Sequence, residues 1–480
     1  ASVGNPSEGS PIKNAYAMPQ IVPVYDINGY FSGPAALPSN AGNPVAQQFR
    51  AAENKGHSLR VTGNAFGEFD FLKYFTFKTQ FGLDYNVGPS ASYTFRNFND
   101  TEVNAANRMD LNFFNNRNWT FFNTVRFNRE VGDHKISAIA GTEARRNVYE
   151  GFSAGGAKLS FGDDPNYRVL GNTDGKTYTI SSYRGENRVQ SYFAQANYSY
   201  ADKYFFSGTI RRDGSSRFIN NKYGTFPAAS VGWRISKEGF MANVTPVTEM
   251  KLRASYGTTG NNETATGDYP GFSNFGTSIS TANYDIRGTG NSNVPGFAQT
   301  STGNPNLKWE TTILSNVGVD ATLFNKIDVT FEYFIRKTKD MIYGVAQPWE
   351  IGNLGRIDTN IGSMQNKGVE MAVNYRGKAL DDQLNFTIGL TGTIVKNEVL
   401  ALDANSNTFI RDGGSRIGNI TYTTPGHPIS QFYGYVAEGL WKSDADINSV
   451  LFTAKGDAKV GRVRFKDLNG DGQIDSNDET

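Results

Sequence analysis

The feature that most constrains this chain is an alternation of apolar and polar residues that recurs along most of its length. In one such segment, Ile327, Val329, Phe331, Tyr333 and Ile335 alternate with Asp328, Thr330 and Glu332. Successive side chains of a strand point to opposite faces of its sheet, so this pattern predicts a strand with one apolar face and one polar face. Similar segments cover residues 59–69, 75–85, 119–127 and 384–394, and about fourteen can be counted, many near ten residues long.

The connections between these segments differ sharply in length. Short polar turns lie at residues 70–73, 201–203, 325–326 and 381–382, whereas long Gly/Asn/Thr/Ser-rich segments cover roughly 148–187, 259–309, 339–365 and 397–429. A membrane-spanning β-barrel has short turns on one side and long loops on the other. Aromatic residues beside the short turns predict an interfacial girdle; they are Phe69, Phe71, Tyr74, Tyr200, Tyr204 and Phe324.

Composition agrees with a sheet that has two unlike faces. The mean hydropathy is −0.48, yet 13% of the residues are aromatic, and the 480 residues contain no Cys. The net charge of +1 argues against a nucleic-acid-binding surface, which requires a basic excess. We therefore predict an all-β chain that forms part of a transmembrane antiparallel up-and-down β-barrel. The alternative for these strands is a soluble β-sandwich, which would suit a glycan-binding adhesin.

Several motifs then resemble one family, and they occur in the family's order. They are residues 19–25 (PQIVPVY), 42–46 (GNPVA), 212–218 (RDGSSRF), 223–227 (YGTFP), 230–235 (SVGWRI), 251–257 (KLRASYG), 304–311 (NPNLKWET), 362–370 (GSMQNKGVE) and 467–472 (DLNGDG). Together they are similar to the barrel region of the SusC/RagA family of TonB-dependent outer-membrane transporters. The resemblance covers the chain from about residue 19 to its end.

This resemblance implies a 22-stranded barrel with a plugged lumen in the outer membrane of a diderm bacterium. It implies import of oligosaccharides or peptides, a SusD-like surface lipoprotein as a lid, and energy delivered by TonB through the plug. We expect the plug and the last strands to lie outside this chain, with residues 1–55 as an irregular lead-in and 56–480 as barrel strands with long extracellular loops. An alternative is a barrel of the same family that serves as a scaffold in a larger surface or secretion complex.

Several polar residues are candidates for roles in a barrel. Outer-membrane lipids would surround the apolar face, and the polar face would line the path taken by a glycan or peptide. Inward-facing candidates are Arg60, Lys78, Arg126, Glu143 and Arg145. Arg212 and Arg217 flank a turn and are expected in a network at the lumen or rim. The pair Trp309-Glu310 opens a strand, so Trp309 is predicted to be an anchor at the membrane interface.

One segment has the spacing of a calcium-binding loop. Counted from Asp467, oxygen ligands are expected at positions 1, 3, 5, 7, 9 and 12, with Gly at position 6. The matching residues are Asp467, Asn469, Asp471, Gln473, Asp475 and Asp478, with Gly472 at position 6. Position 12 is Asp where Glu is usual, and the flanks do not look helical. We therefore predict a structural Ca²⁺ in a rim or extracellular loop; the alternative is an acidic turn without an ion.

Catalysis has little support in the sequence. His57, His134 and His427 are far apart and lack the spacing of metal ligands. Neither a nucleophile elbow nor a Walker loop nor a zinc-protease motif occurs in the sequence. The chain is therefore not expected to be an enzyme.

Overall fold

The computed structural model describes most of the chain. The described residues are 2–4, 11–33, 42–52, 54–99, 102–161, 164–265, 267–277, 283–289, 293–347, 350, 355–381, 383–402, 410–415, 418–448, 458–475 and 478–480. Two compact units are present. The first comprises Ala1–Phe127, Ile139–Ala194 and Asp213–Arg217, and the second comprises Asn128–Ala138, Gln195–Arg212 and Phe218–Thr480.

The dominant element is one thirteen-stranded sheet in which the spatial order of the strands is their order along the chain. The strands are β1 (Ser2–Gly4), β2 (Lys55–Phe71), β3 (Phe75–Thr94), β4 (Arg108–Val131), β5 (His134–Ala157), β6 (Thr179–Tyr200), β7 (Tyr204–Ser215), β8 (Tyr223–Arg234), β9 (Val247–Asn261), β10 (Glu310–Leu323), β11 (Ile327–Lys339), β12 (Ser363–Ala379) and β13 (Leu384–Ala401). This is the predicted up-and-down topology, and the pairs from β1 to β4 and from β8 to β13 are antiparallel.

The sheet contains fewer long strands than the sequence predicted. In the described residues β1 is only three residues long, which leaves twelve long strands where about fourteen segments had been counted. Alternation identifies strands, but it does not say which sheet they join. Within the long connection predicted at 339–365, residues 342–346 and 356–360 pair with each other in a separate hairpin.

The alternation places apolar and polar side chains on opposite faces, as predicted. Antiparallel partners share a face, and Phe331 lies opposite Val319 and Met371 in the register of β10, β11 and β12. The apolar face is open: Ile388, Leu390 and Ile394 are 63%, 65% and 80% exposed. In a soluble sandwich these side chains would be sealed against a second sheet. Their exposure contradicts that alternative for this strand.

Short turns join β2 to β3, β6 to β7, β10 to β11 and β12 to β13, near the predicted positions. Each contains two consecutive residues with positive φ, such as Ala201 and Asp202 at 53° and 52°. The predicted long segments are also present, although the one expected at 148–187 is shorter. There β5 continues to Ala157 and β6 begins at Thr179, so both strands extend beyond their alternating segments. Asp382 of the predicted turn at 381–382 lies outside the described residues.

The lead-in, expected to be irregular, contains two helices, α1 (Pro11–Ala17) and α2 (Pro44–Ala51). Asn43 caps α2, since its Oδ1 accepts hydrogen bonds from the backbone N–H groups of Val45 and Ala46. Its Nδ2 donates to the carbonyl oxygens of Val24 and Ser32, at 2.8 and 2.9 Å. Asn43 thereby ties the start of α2 to the segment that precedes it.

Residues 397–429 were predicted to be a long connection and 430–480 to be further barrel strands with loops; the residues described after β13 form small separate sheets. Residues 410–415, 418–423 and 431–432 make a three-stranded sheet, and residues 437–440 pair with 463–465. A short helix, α3 (Asp444–Asn448), lies between the last two strands. Polar connecting segments with few apolar residues form local hairpins more readily than long membrane strands.

None of the helices in the described part of the chain is long and apolar enough to cross a membrane.

A polar clamp stabilises the short-turn end of the second unit. The Glu238 carboxylate accepts hydrogen bonds from Tyr204 Oη at 2.7 Å, Trp233 Nε1 at 3.1 Å and Lys203 Nζ at 3.2 Å. These bonds, with that from Tyr204 the largest cause, lower the pKa of Glu238 from its usual 4.5. The clamp therefore joins the start of β7, the end of β8 and the segment that follows β8.

We expect Glu238→Gln to lower the Tm by a few degrees at pH 7 and to have no effect well below pH 4.5. The pKa is lower in the folded state, so the charged carboxylate stabilises the fold above pH 4.5, and this contribution is lost as the pH falls through the folded pKa. Thermal melts of both proteins between about pH 3 and 8 would measure this difference in Tm.

The matched control is Glu249→Gln, which removes a more exposed carboxylate that pairs with Arg234 at 3.2 Å. An exposed ion pair contributes little, so this variant should melt like the parent. Equal losses in the two variants would contradict a special role for Glu238.

Candidate functional site

The polar face of the first unit carries the inward-facing candidates predicted from the sequence. Arg60 donates from Nε and Nη2 to Asp84 at 2.9 and 2.7 Å. Lys78 lies 4.5 Å from the centre of the Phe66 ring, and Arg126 lies opposite Thr76 in the register of β3 and β4. A fork-like bond between Arg and a carboxylate fixes both side chains, so part of this face is preorganised.

Glu143 and Arg145 lie on the same polar face. Gly141 lies two residues before Glu143 and four before Arg145 in β5, so it shares their face. A Cβ placed on Gly141 would lie 2.9 Å from the Thr124 side chain. Thr124 shares its face with Arg126, because the two are separated by two residues in β4. The prediction that all five candidates share one face is therefore confirmed for the described residues.

The second unit has a charge cluster that the sequence analysis missed. Arg253 in β9 bonds Asp320 in β10 at 3.1 Å and forms an ion pair with Glu332 in β11. Glu332 also accepts a 2.6 Å hydrogen bond from Asn316 Nδ2. The polar positions of these alternating strands could have suggested this cluster. The sequence does not show the register that brings β9, β10 and β11 together.

A cavity of about 580 Å³ lies beside this cluster within the second unit. Polar side chains that line it include Ser137, Asn197, Lys251, Arg253 and Asn316. Lys251 Nζ lies 4.6 Å from the centre of the Phe205 ring, which shields one side of its ammonium group. The arrangement offers hydrogen-bond donors and acceptors to a polar molecule or chain segment that lies against this face.

At the opposite end of the strands, the long connections of the second unit share an apolar core. We call it the loop core; it consists of Phe218, Phe226, Ala265, Leu307, Trp309 and Ile342. Phe218 and Leu307 are fully buried, and the rings of Phe218 and Phe226 both meet Trp309 edge-on with centroids 5.6 Å away. Edge-to-face contacts of this kind add to the stabilisation from burial.

The prediction that Trp309 is an anchor at the membrane interface is wrong. Trp309 is buried in the loop core, and its Nε1 donates a 2.9 Å hydrogen bond to the carbonyl oxygen of Lys222. Glu310 is also buried and accepts hydrogen bonds from Asn261, Thr264 and the backbone N–H of Ile342. A Trp at the end of a strand is compatible with the membrane interface and with a buried core, and only the fold of the connecting loops decides between these two positions.

Asparagine side chains join the same connections through backbone groups. Asn360 Nδ2 donates to the carbonyl oxygens of Lys308 and Asp340, and its Oδ1 accepts from the backbone N–H of Lys308. Asn304 Nδ2 donates to the carbonyl oxygen of Asp358. These bonds satisfy loop backbone groups that a strand ladder would otherwise pair. The described parts of the connections from β7 to β8, β9 to β10 and β11 to β12 are therefore joined to one another at the rim.

The two arginines expected at the lumen or rim belong to different units. In the second unit the Arg212 guanidinium stacks on the Tyr223 ring, 5.0 Å from its centre. In the first unit the backbone N–H of Arg217 donates to Ser215 Oγ, which is the local turn bonding expected for this motif. Arg212 thus helps to hold the start of β8.

The predicted calcium loop folds around its own backbone. Asp467 accepts from the N–H groups of Gly470 and Gly472, and Asp471 accepts from the N–H of Gln473. Asp478 is fully buried and accepts from the N–H groups of Leu468, Asn469 and Asp475. These bonds, that from Asp475 first, lower the pKa of Asp478.

In the described residues the loop is a self-bonded turn. Asx-type bonds to the backbone fix the loop and still leave free lone pairs on the carboxylates. Among the residues described, His, Asp and Glu side chains do not assemble into a group of three or more that could hold a metal ion. The six calcium ligands therefore remain a prediction.

The loop core generates a direct test. We expect Trp309→Ala to destabilise the rim loops by roughly 3–5 kcal/mol, because it leaves a cavity between Phe218 and Phe226. Limited proteolysis of the folded protein should then cut within residues 262–309, at sites that resist cleavage in the parent.

Two further variants separate the packing of Trp309 from its hydrogen bond and from the effect of a substitution elsewhere in the same connection. Trp309→Phe keeps most of the ring but loses the bond to Lys222, so it should be cut at an intermediate rate. Phe272→Ala changes an exposed side chain of the same connection and should behave like the parent. Unchanged protection in Trp309→Ala would show that the loops do not depend on this core.

Comparison with known proteins matches this architecture. Residues 13–477 match the family model described as "TonB dependent receptor-like, beta-barrel". The chain is 30% identical to TonB-dependent receptor P3 of Formosa agariphila over 490 residues, which cover 100% of the chain and 46% of that protein. It is 27% identical to TonB-dependent receptor SusC of Bacteroides thetaiotaomicron over 459 residues, 92% of the chain and 42% of SusC.

A solved structure of the RagAB peptide transporter shares the fold. It superposes with a TM-score of 0.75 at 21% identity, and the match covers 95% of this chain and 47% of that one. The chain thus spans about half the length of the relatives it matches. The family match, the ordered motifs and the two-faced sheet agree, and the chain belongs to the TonB-dependent receptor-like β-barrel family.

Proposed function

We propose that the full protein imports oligosaccharides or peptides across the outer membrane of a diderm bacterium. The observation that carries this proposal is a two-faced sheet whose polar face lies below an ordered set of rim loops, in a chain of the TonB-dependent receptor-like β-barrel family. The family consists of receptors and transporters, and this membership confirms the expectation that the chain is not an enzyme.

The proposed mechanism uses the polar face as one wall of the path. Cargo would bind among the rim loops and pass the charged side chains of this face once a plug outside this chain has moved. Paired groups such as Arg60 with Asp84, or Arg253 with Asp320 and Glu332, offer alternating donors and acceptors without a large excess of one charge. Such a surface suits neutral glycans or zwitterionic peptides, because either can exchange hydrogen bonds along it.

The proposed partners follow from the position of the rim loops at the end of the polar face. The loop core joins described parts of three connections, and this packed part of the rim would serve as the seat of a SusD-like surface lipoprotein with little loss of conformational entropy on closing. TonB would deliver energy through the plug. A solved relative is a peptide transporter and a sequence relative is a TonB-dependent receptor, which supports import and a peptide as one class of cargo.

Uptake by a deletion strain tests the proposal. We expect loss of uptake of one class of labelled oligosaccharide or peptide, with full recovery when the complete gene is restored. A proton uncoupler should abolish uptake in the restored strain as well, because TonB depends on the proton gradient. A barrel that acts only as a scaffold would leave uptake unchanged in the deletion strain, and that result would refute import.

We also propose that residues 467–478 bind a structural Ca²⁺. Five carboxyl or amide side chains and the position-7 residue have the required spacing, and the loop closes on itself through Asp478. Asp475 and Asp478 place two carboxylates at the end of the loop, and a bound cation would supply the opposite charge.

Calcium should therefore raise the Tm of the full protein, by an amount equivalent to about 2.7 kcal/mol at one hundred times the dissociation constant. Asp471→Asn removes a charged ligand and should weaken this response, whereas Asp444→Asn, in α3, should not. Melting curves in calcium, magnesium and EGTA measure the response. Identical curves for the parent in all three buffers would favour the self-bonded turn.

A further inference from the structure

Three lysines lie on the apolar face of the second unit, where the apolar rows end. Lys337 is two residues after Ile335 in β11, and Lys396 is two residues after Ile394 in β13. Lys367 in β12 lies opposite Ile335 in the register of β11 and β12. Residues two apart in a strand, and residues opposite each other in neighbouring strands, share a face of the sheet. We call Lys337, Lys367 and Lys396 the lysine cluster.

Two of these lysines face each other directly. Lys367 and Lys396 are opposite partners in the register of β12 and β13. Side chains in such a pair have Cβ atoms about 4.5–5.5 Å apart, and like charges in this position repel each other. In the described part of the chain none of the three ammonium groups forms an ion pair, although Glu398 lies in the next pair on the same face. The cluster therefore carries positive charge that these residues do not compensate.

The first unit shows how this chain neutralises two close cations with a side chain of its own. There Glu186 accepts hydrogen bonds from Arg146 at 2.9 and 3.0 Å and also from Arg188. One carboxylate thus holds two guanidinium groups in place. Among the described residues the pair of Lys367 and Lys396 has no such carboxylate, so the position of the counter-charge is open to an anion from outside the chain.

The lysine cluster lies at the edge of the apolar band that is remote from the short turns. Lys337 is ten residues from Ile327, the first residue of β11 (337 minus 327), and Lys396 is twelve residues from Leu384, the first residue of β13 (396 minus 384). At about 3.3 Å per residue and a tilt of about 45°, these separations correspond to rises of roughly 23 and 28 Å. The apolar band of a membrane barrel is about 25 Å tall, so both lysines lie at its boundary with the headgroups.

The ligand chemistry follows from this position. A lysine stem lies along an apolar surface while its ammonium group reaches the polar side of the boundary. The ammonium group binds phosphate as a compact point charge. Lipid headgroups place phosphoryl oxygens at this depth, and basic clusters there bind anionic headgroups. The long connections mark the side of the sheet that the proposed function places outside the cell.

We propose that the lysine cluster binds the phosphoryl group of a lipid in the outer leaflet of the outer membrane. The phosphate lies between Lys367 and Lys396, where it replaces the repulsion of two ammonium groups by two attractions, and Lys337 on the neighbouring strand adds a third cation. The inference rests on the proposed membrane location and is independent of the cargo.

Native mass spectrometry of the full protein in a nonionic detergent tests this site, with dioleoylphosphatidic acid as the probe. We expect Lys337→Gln to weaken lipid binding about fivefold and Lys367→Gln/Lys396→Gln about 25-fold, since each basic residue near an anionic lipid contributes a factor of about five. The matched control is Arg336→Gln, which removes the cation next to Lys337 in β11 on the opposite face and should bind like the parent.

Lys396→Glu gives a second readout that loss of binding alone does not provide. The variant places a carboxylate opposite Lys367, where the chain itself then supplies the counter-charge. We therefore expect it to lose the lipid and to raise the Tm of the lipid-free protein, because an opposite-charge pair replaces a repulsive one. An unchanged or lower Tm would overturn the argument from repulsion.

The remaining outcomes separate this site from the occupants and assumptions that compete with it. Equal affinity for phosphatidic acid in the parent and the Gln variants would overturn the cluster as a lipid site. Displacement of the lipid by an equal concentration of inorganic phosphate, or a dimer that dissociates in Lys367→Gln/Lys396→Gln, would overturn a lipid as the occupant. These results would leave import untouched, whereas a full protein that stays monodisperse without detergent would overturn the membrane location itself.

Discussion

Backbone hydrogen bonding between successive strands is the constraint on which this structure depends. Each long strand of the main sheet pairs with its neighbours along the chain, so the polar backbone is satisfied inside the sheet and the side chains alone meet the surroundings. That condition allows one face to carry Ile388 and Leu390 openly while the other carries Arg253 and Glu332. A sheet with this division needs an apolar solvent on one side.

The alternation made the strands and their faces predictable, because both depend on residues close together in sequence. The shared face of Arg60, Lys78 and Arg126 follows from parity, provided that the paired strands keep a regular register. The sequence could not show which segments join the main sheet. Residues 342–346 (IYGVA) lie in a segment predicted to be a long connection and do not alternate apolar with polar residues, yet they pair with 356–360 in a separate hairpin.

Contacts between distant loops were the least predictable part of the candidate site. Trp309 is 91 residues from Phe218 (309 minus 218), and nothing local to either residue indicates that their rings meet. An exposed aromatic at a strand end and a buried one in a loop core look alike in sequence, which is why the interface assignment failed. The motifs that resemble the family nevertheless include Phe218, Leu307 and Trp309, so the ordered motifs had already marked the residues that build this core.

The sheet constrains mainly the polarity of its residues, whereas the loop core constrains their shape. This difference explains how a fold can persist when most residues differ. A strand position in the sheet requires only the correct polarity, which many residues supply, and this chain shares its fold with a solved relative at 21% identity. The loop core requires particular shapes, because Trp309 fills the space between two aromatic rings and also donates to Lys222. Specific recognition should therefore be sought in the residues that the core positions at the rim, since the wall beneath them constrains polarity far more than identity.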